Sequence, residues 1–577
     1  MLRHSPPWEH SARVVLSFAL LSLLGAVSPS PASGQSPPLN FVVVISDDQP
    51  FPTIDDGAMP NLDAWAQQGI RFERAYVSYP VCAPTRASFL SGGFEARETG
   101  VTWNSLPQGG VLRFDDTTSL GTRFQAAGYA TAHIGKYINA YKEIQGRVPP
   151  GWTLFVEHRD VGSSDEDPSE TTYLPLRNPH LIYHYRDYAL DFIDAHAQDP
   201  FLLVLAADEP HYPARPAPGD ESLFPSFLYR PPSYLEPDIG DKPSLIQLLA
   251  PNLCCHPEFP TAAAADEFHR DQLRSLVGLD RVIETIRQRL QDHGVIGRTV
   301  FFFFSDNGLL RGEHQTWSKD WAYEESLGVP MIAIGPGMLP RSDSRLVVAN
   351  LDIPATLYDL GGIEADTDGR SLAPRFADPQ AAGRAHVAAD FAYRPRYWAA
   401  LVTEDWKYVE WGNGEVELYD LVNDPYEMES VHADPAHAAI RQDLATLRAS
   451  EPRTLSFTAP WYRNLPPATV GQPYSHAPPV WGGTPPYTFR IESGSLPLGI
   501  QLDPATGTLS GVPQLPETYA ENIFYLEVTD SSVTRHHGGP QLAVKDLSFR
   551  IVPEPGSLES LLPCIALLLG LMRREGA

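Results

Sequence analysis

Cysteine is nearly missing from this chain: there are four in 577 residues, at positions 82, 254, 255 and 564. Two are neighbours and one lies in the C-terminal tail, so they do not make a disulfide framework, and Cys82 has no evident partner. The adjacent pair sits in "PNLCCHPEFP", where a loop-stabilising role fits the flanking prolines better than metal binding through His256. Basic residues are also in short supply, since 43 Lys and Arg against 71 Asp and Glu leave a formal charge of −28. That balance excludes nucleic acid as a partner held by the overall field. An anionic substrate needs positive charge gathered at one place. Long apolar runs are lacking as well: the stretch from Val14 to Val27 falls short of the roughly 20 residues that a membrane-spanning helix requires.

What is present divides the chain into segments. Arg3 and Arg13 precede the Val14–Val27 stretch and Ala32 and Gly34 follow it, which reads as a secretory signal over residues 1–34, removed by signal peptidase. The prediction is an exported protein. Over residues 35–455, the short apolar runs "FVVVIS" at 41, "YATAHIG" at 129, "FLLVLAA" at 201 and "TVFFFFS" at 299 predict strands buried on both faces. Helical patterns fall between them, in "NLDAWAQQG" and in "FHRDQLRSLVGLDRVIETIRQRLQDHG", which closes on Gly294. The expected fold is α/β, with a mixed, mostly parallel sheet flanked by helices.

Residues 456–464 read as a linker, and from 465 to 552 short strand-like runs alternate with Gly, Pro and Asp turns, which predicts a C-terminal β-sandwich. With "LDPATGTLSGVP" as its most recognisable part, it resembles the Ig-like modules of bacterial surface proteins, usually spacers or binders. The tail 553–577, "VPEPGSLESLLPCIALLLGLMRREGA", resembles the Pro-Glu-Pro sorting signal that bacterial exosortases process. That resemblance implies a location outside the cell. No internal repeat stands out, and "SDEDPSE" at 164 reads as a solvated acidic loop.

Two predicted strands end alike. "FVVVIS" runs into Asp47 and Asp48, and "TVFFFFS" runs into Asp306 and Asn307. In a parallel sheet both pairs emerge at the carboxyl edge, where open α/β folds place their ligands. Three carboxylates brought together repel one another, so a divalent cation is their natural resident. Oxygen-only donors favour Ca²⁺ or Mg²⁺ over Zn²⁺ or copper. Taken alone, "SDNG" is equally a turn signal, and Asp-Asp after a strand also caps helices.

Cys82 lies at the start of a short predicted helix. Pro84 suits its first turn, Gly92 and Gly93 its end, and Arg86 lies one turn along. Helix terminus and arginine both favour negative charge at position 82, which leaves two readings: an activated thiolate, or an oxygen nucleophile better matched to a hard cation. Cys82-Ala83-Pro84-Thr85-Arg86 is similar to the Cys-x-Pro-x-Arg signature of the type I sulfatases. In that family a formylglycine-generating enzyme oxidises the cysteine to formylglycine, whose hydrated aldehyde is a geminal diol.

The resemblance covers roughly residues 40–430, with separate motifs in the expected order. It implies Asp47, Asp48, Asp306 and Asn307 as Ca²⁺ ligands together with the converted residue Cys82. It implies Arg86 as the group holding formylglycine, Lys136 in "GYATAHIGKY" and Lys319 in "HQTWSKDWAYEE" as sulfate-binding lysines, and His211 in "DEPHYP" as the acid at the scissile ester. His314 is a further substrate-pocket residue on this reading, and "LYDLVNDPYEMES" looks like the family's closing segment. Many sulfatases carry histidine two residues after the first lysine, where this chain has Ile138 followed by Asn139. The run "GKYINAYKEIQGRVPPGW" instead looks like the N-acetylglucosamine-6-sulfatase branch. The implied activity is removal of sulfate from a sulfated carbohydrate, a 6-O-sulfated amino sugar in particular. The rival readings are a phosphomonoesterase or phosphodiesterase of the alkaline phosphatase superfamily and a catalytically inactive surface glycan-binding protein.

Overall fold

The computed structural model describes residues 37–144, 147–157, 178, 180–253, 261–393, 396–458, 464–517, 523–532 and 540–552. The expected signal segment, the acidic loop at 164, Cys254, Cys255, Cys564 and the C-terminal tail lie outside the described residues. Among the described residues, no helix is long and apolar enough to cross a membrane.

An eight-stranded sheet organises the first domain. Its strands are β1 (Asn40–Ser46), β2 (Ile70–Phe72), β3 (Ala130–Gly135), β4 (Leu154–Val156), β5 (Phe201–Ala206), β6 (Thr299–Ser305), β7 (Met331–Ile334) and β8 (Arg341–Asp343), in the order β8-β2-β7-β6-β1-β5-β3-β4. Only β7 runs against the rest, antiparallel to both β6 and β2. The four apolar runs expected as strands are β1, β3, β5 and β6, all seated side by side at the centre. Their composition reflects the two faces they bury. Phe41, Val43, Ile45, Phe302 and Phe304 enter one core, and Val42, Val44, Phe301 and Phe303 enter the other. Alternate side chains of a strand point to opposite faces, so a sheet covered by helices on both sides needs apolar residues at every position.

Helices α1 (Pro60–Ala66), α3 (Leu181–His196) and α4 (Ala262–Asp292) contribute to the second core, which takes in Leu62, Trp65, Ile182, Tyr185, Leu276 and Leu279. The long helix starts six residues before the apolar pattern does. Thr261 caps it by accepting from the Ala264 N–H at 3.2 Å. Helix α2 (Cys82–Ser91) is buried along its whole length and ends at Gly92, whose φ of 84° is the left-handed conformation glycine adopts at helix C-termini. A four-stranded antiparallel meander follows, built from β9 (Val387–Tyr393), β10 (Arg396–Val402), β11 (Trp406–Trp411) and β12 (Val416–Asp420).

Among the described residues, the named strands of the C-terminal module pair antiparallel except Ala468–Thr469, which runs parallel to Ile551–Val552. One sheet joins Thr488–Ser493, Ile523–Thr529 and Leu542–Ser548, and a second joins Tyr474–His476, Leu509–Gly511 and Ile500–Leu502. Phe489, Leu526 and Leu547 from the first meet Ile500 and Leu509 from the second in one core, the arrangement of a sandwich. Within the segment read as a linker, Ser456–Phe457 pairs with Val480–Trp481, and Leu455 and Phe457 pack with Leu465, Phe489 and Leu547 in that core.

Candidate active site

Four adjacent strands deliver side chains to one point beyond their carboxyl ends. Ser46 of β1 and Ser305 of β6 are paired in register, so Asp47-Asp48 and Asp306-Asn307 leave the sheet at the same height. Gly135 of β3 pairs with Ala206 of β5, and Lys136 follows the first while His211 lies five residues past the second. Backbone bonds extend the ladder past the strand ends, from the Asp306 N–H to the Ser46 carbonyl at 3.0 Å, from the Asp47 N–H to the Glu209 carbonyl at 3.0 Å, and from the Lys136 N–H to the Ala206 carbonyl at 2.9 Å. Asp48 takes a φ of 60°, uncommon outside glycine, which turns it toward its neighbours.

Helix α2 points its first residue at this edge. The Cys82 sulfur lies 3.5 Å from Asp47 Oδ1 and 4.0 Å from Asp48 Oδ1, and Lys319 Nζ approaches it to 2.8 Å. Lys136 Nζ donates to Asp47, Lys319 Nζ donates to Asp48, and Arg86 Nε donates to Asp306 at 2.7 Å. His211 stands at the rim, 30% exposed, with Nε2 3.6 Å from Asp48 Oδ2. Its Nδ1 lies 2.6 Å from the Tyr212 carbonyl, which can only accept, so Nδ1 carries a hydrogen and Nε2 is the atom left facing the site.

Burial opposes ionisation of Asp47, yet Lys136, His211, Arg86 and Lys319 together hold its carboxyl well below the ordinary range. Asp306 goes the other way: burial and the Asp47 charge push it up against the pull of Arg86. One carboxylate thus makes its neighbour harder to ionise, the situation a bound cation relieves. The donor set fits a hard cation. Oxygens of Asp47, Asp48 and Asp306 lie with the Cys82 sulfur within 4.8 Å of one another, and the buried Asn307 Oδ1 has no hydrogen-bond partner while its amide nitrogen donates to Asp48 at 2.7 Å.

The surroundings of Cys82 weigh against an activated thiolate. Burial, then the adjacent Asp47, push the thiol up despite Lys136 and Lys319. Arg86, expected to favour charge there, directs its hydrogen bonds to Asp306 and to the Lys136 carbonyl at 2.7 Å. His314 also departs from its expected place. It is wholly buried, with Nδ1 2.7 Å from Glu236, Nε2 3.8 Å from Glu325 and its ring stacked on Tyr323, so it faces those groups rather than a substrate pocket.

Two neighbours had no place in the sequence reading. Asn104 accepts the Ala83 N–H at 3.0 Å, and the buried Glu209, pushed up to about 8 by burial and by Asp208, ends the third acidic strand exit. The "DE" after β5 repeats the pattern after β1 and was the available signal for Glu209. Asn104, far from its partner along the chain, carried none.

Comparison with known proteins fits this geometry. The Sulfatase family model matches residues 39–363, more than half of the chain, the model for the N-sulphoglucosamine sulphohydrolase C-terminal region matches 312–451, and an Ig-domain model matches 459–539. An extracellular sulfatase homologue from Drosophila melanogaster is 28% identical over 359 residues, which cover 58% of this chain and 31% of that relative. The chain therefore spans about a third of the fly protein. An N-acetylglucosamine-6-O-sulfatase from Bacteroides thetaiotaomicron is 24% identical over 516 residues, covering 76% of this chain and 90% of the relative. Among solved structures, one described in complex with its substrate D-glucosamine-2-N,6-O-disulfate superposes with a TM-score of 0.60 at 21% identity, covering 71% of this chain and 97% of the other. With a family model spanning most of the α/β domain and the motif cysteine enclosed by the strand-end acids, the chain belongs to the sulfatase family.

Proposed function

We propose that this protein hydrolyses sulfate esters of carbohydrate, with a 6-O-sulfated N-acetylglucosamine unit as the preferred group. The observation that carries the reading is the convergence of Asp47, Asp48, Asp306, Lys136 and Lys319 on the side chain of residue 82. The Bacteroides relative and the sugar named for the superposed structure support the choice of substrate. Asp47, Asp48, Asp306 and Asn307 would hold Ca²⁺, which supplies polarisation of sulfate oxygens when bound. Conversion of Cys82 to formylglycine and hydration of its aldehyde would supply a geminal diol, an oxygen nucleophile with two oxygens on one carbon, so that sulfate can be released without water attacking sulfur. Cys82 as it stands supplies neither.

The remaining steps belong to side chains already in position. Lys136 and Lys319 offset charge on the sulfate as it transfers, and in an acidic protein they make the local positive pocket that selects an anion. Arg86 braces Asp306 against the Lys136 backbone and keeps both strand ends in register with α2. Protonated His211 donates from Nε2 to the bridging oxygen, so the sugar departs as an alcohol rather than an alkoxide. The fit to extracellular relatives supports export, with signal peptidase and an exosortase acting on the two ends. The deciding experiment compares purified protein from a host able to convert cysteine on N-acetylglucosamine 6-sulfate, nitrophenyl sulfate and nitrophenyl phosphate, with mass spectrometry of the residue 82 peptide. Turnover of the sulfates with an aldehyde mass at position 82 is expected. Preference for the phosphate ester, or an unmodified thiol with no turnover, overturns the reading in favour of a phosphatase or of a glycan binder.

A further inference from the structure

We propose that the Ig-like module, through Glu492 and Arg113, positions the loop of residues 102–110 beside the catalytic site for contact with sugar units beyond the sulfated one. The kinetic consequence rests on the sulfatase reading; the structural one does not.

The loop begins at the nucleophile. Helix α2 has no side-chain cap of its own, because its N-cap residue is Val81, and a helix's first N–H groups lack intrahelical acceptors. Asn104 fills that need from outside by accepting the Ala83 N–H, one residue from position 82. The loop closes on itself through the Gln108 carbonyl, which accepts from Thr102 and Trp103 N–H groups at 2.8 and 3.1 Å, and the Val111 N–H then reaches the Asn139 carbonyl at 3.0 Å. It therefore bridges α2 and the segment carrying Lys136. Its tip leaves Ser105 and Leu106 exposed, and the partly exposed Trp103 stacks on Tyr393 of β9 with ring centroids 4.1 Å apart. A partly exposed aromatic flanked by exposed small polar and apolar groups suits contact with sugar rings.

The module supports both partners of that stack. Arg113 donates to both carboxylate oxygens of Glu492 at 2.9 and 3.1 Å and, through Nε, to the Pro107 carbonyl at 3.0 Å, so one guanidinium ties a strand of the module to the loop tip. At Gly100 the Leu542 carbonyl of the module comes so near that a Cβ would lie 2.4 Å from it. On the meander side, Tyr397 donates to the Phe457 carbonyl at 2.6 Å and Ser456 donates to the Ala392 carbonyl at 3.0 Å. Tyr79 joins the two sides, donating to the Thr102 carbonyl and accepting from the Ala392 N–H, each at 3.0 Å. A detachable spacer needs none of these bonds.

Glu492→Gln, Arg113→Gln and the charge-swapped pair Arg113→Glu/Glu492→Arg test the clamp in the full chain. In each single variant the KM for a sulfated chitin-type oligosaccharide is expected to rise about fivefold, while kcat/KM on nitrophenyl sulfate stays within about twofold, as loss of one charge-assisted hydrogen-bonded pair implies. The swapped pair is expected to restore KM. Hydrogen exchange supplies the activity-independent readout: amides of residues 100–113 should exchange faster in Glu492→Gln, with the β1 and β6 amides unchanged. Equal losses on both substrates, no change on either, or unaltered exchange at 100–113 would overturn the proposal. If the wild-type protein turns over neither sulfate, the sulfatase reading fails and the exchange result alone decides the clamp.

Discussion

Two buried ionic clusters flank the "HQTWSKDWAYEE" segment, and their difference shows what makes such a cluster a site. Proximity does not separate them, since the donor atoms of Asp47, Asp48, Cys82 and Asp306, and those of His314, Glu325 and Glu427, lie within 4.8 Å of one another in each group. Access does. Around His314, Glu236 is met by His314 at 2.7 Å and by Lys242 at 3.3 Å, Glu325 accepts from Ser233 at 3.0 Å, and Glu427 lies 2.6 Å from Lys407, all within a closed interior. Buried acceptors are left over in both, Asn307 Oδ1 near Cys82 and Glu325 Oε2 near His314, but beside Cys82 His211 opens to solvent. A cluster shut in the interior stabilises the fold, whereas one that solvent reaches is arranged for something that must enter.

Substitutions can break this contrast, beginning with the largest effect. Cys82→Ala should lower sulfate-ester turnover by on the order of 10⁴-fold or more with the thermal unfolding midpoint retained, because the group removed takes part in the bond-forming step. Lys319→Ala should cost roughly 10²–10³ in kcat, the usual loss for a charge-stabilising donor. His211→Asn should cost roughly 10²–10⁴ on a sugar sulfate and far less on nitrophenyl sulfate, whose leaving group needs no proton. Equal loss on both would remove the acid role from His211.

The second cluster answers to stability. His314→Gln should destabilise by about 3–5 kcal/mol in urea unfolding, since it strips one partner from a buried pair, while turnover per folded molecule stays near wild type. Loss of turnover in a stably folded His314→Gln protein would erase the distinction between the clusters. Burial alone would lower the imidazole's pKa, but Glu236 and Glu325 outweigh it and lift it to about 9. A group whose folded value is raised contributes fully below its unfolded value, near 6.5, and loses that contribution as pH climbs through about 9. The unfolding midpoint should therefore fall between those limits in wild type and less steeply in His314→Gln. Finally, Ca²⁺ at 100 times its dissociation constant should add about 2.7 kcal/mol to unfolding, an increment absent from Asp306→Ala.

The sequence made the central strands legible because each buries both faces, and it made the metal-site candidates legible because two runs end in the same acidic pattern. β2, β4, β7 and β8 escaped notice: they are three or four residues long and carry too little periodicity to read. His314 was misplaced for a related reason. It lies five residues from Lys319, but its partner Glu236 is 78 positions away, and nothing local reports that residues 313–316 turn inward. Arg86 shows the same limit, since spacing from Cys82 suggested a contact and only the fold reveals that its guanidinium serves Asp306.

The pairing of Ser46 with Ser305 gives this protein a reading-frame sensitivity of its own. Deleting one residue anywhere in β1 or β6 shifts the rest of that strand to the opposite face, which would turn its acidic pair out of step with the pair of the other strand. Length variation across relatives should therefore collect in the surface loops, and these two stretches should tolerate exchanges of one apolar side chain for another but no gap.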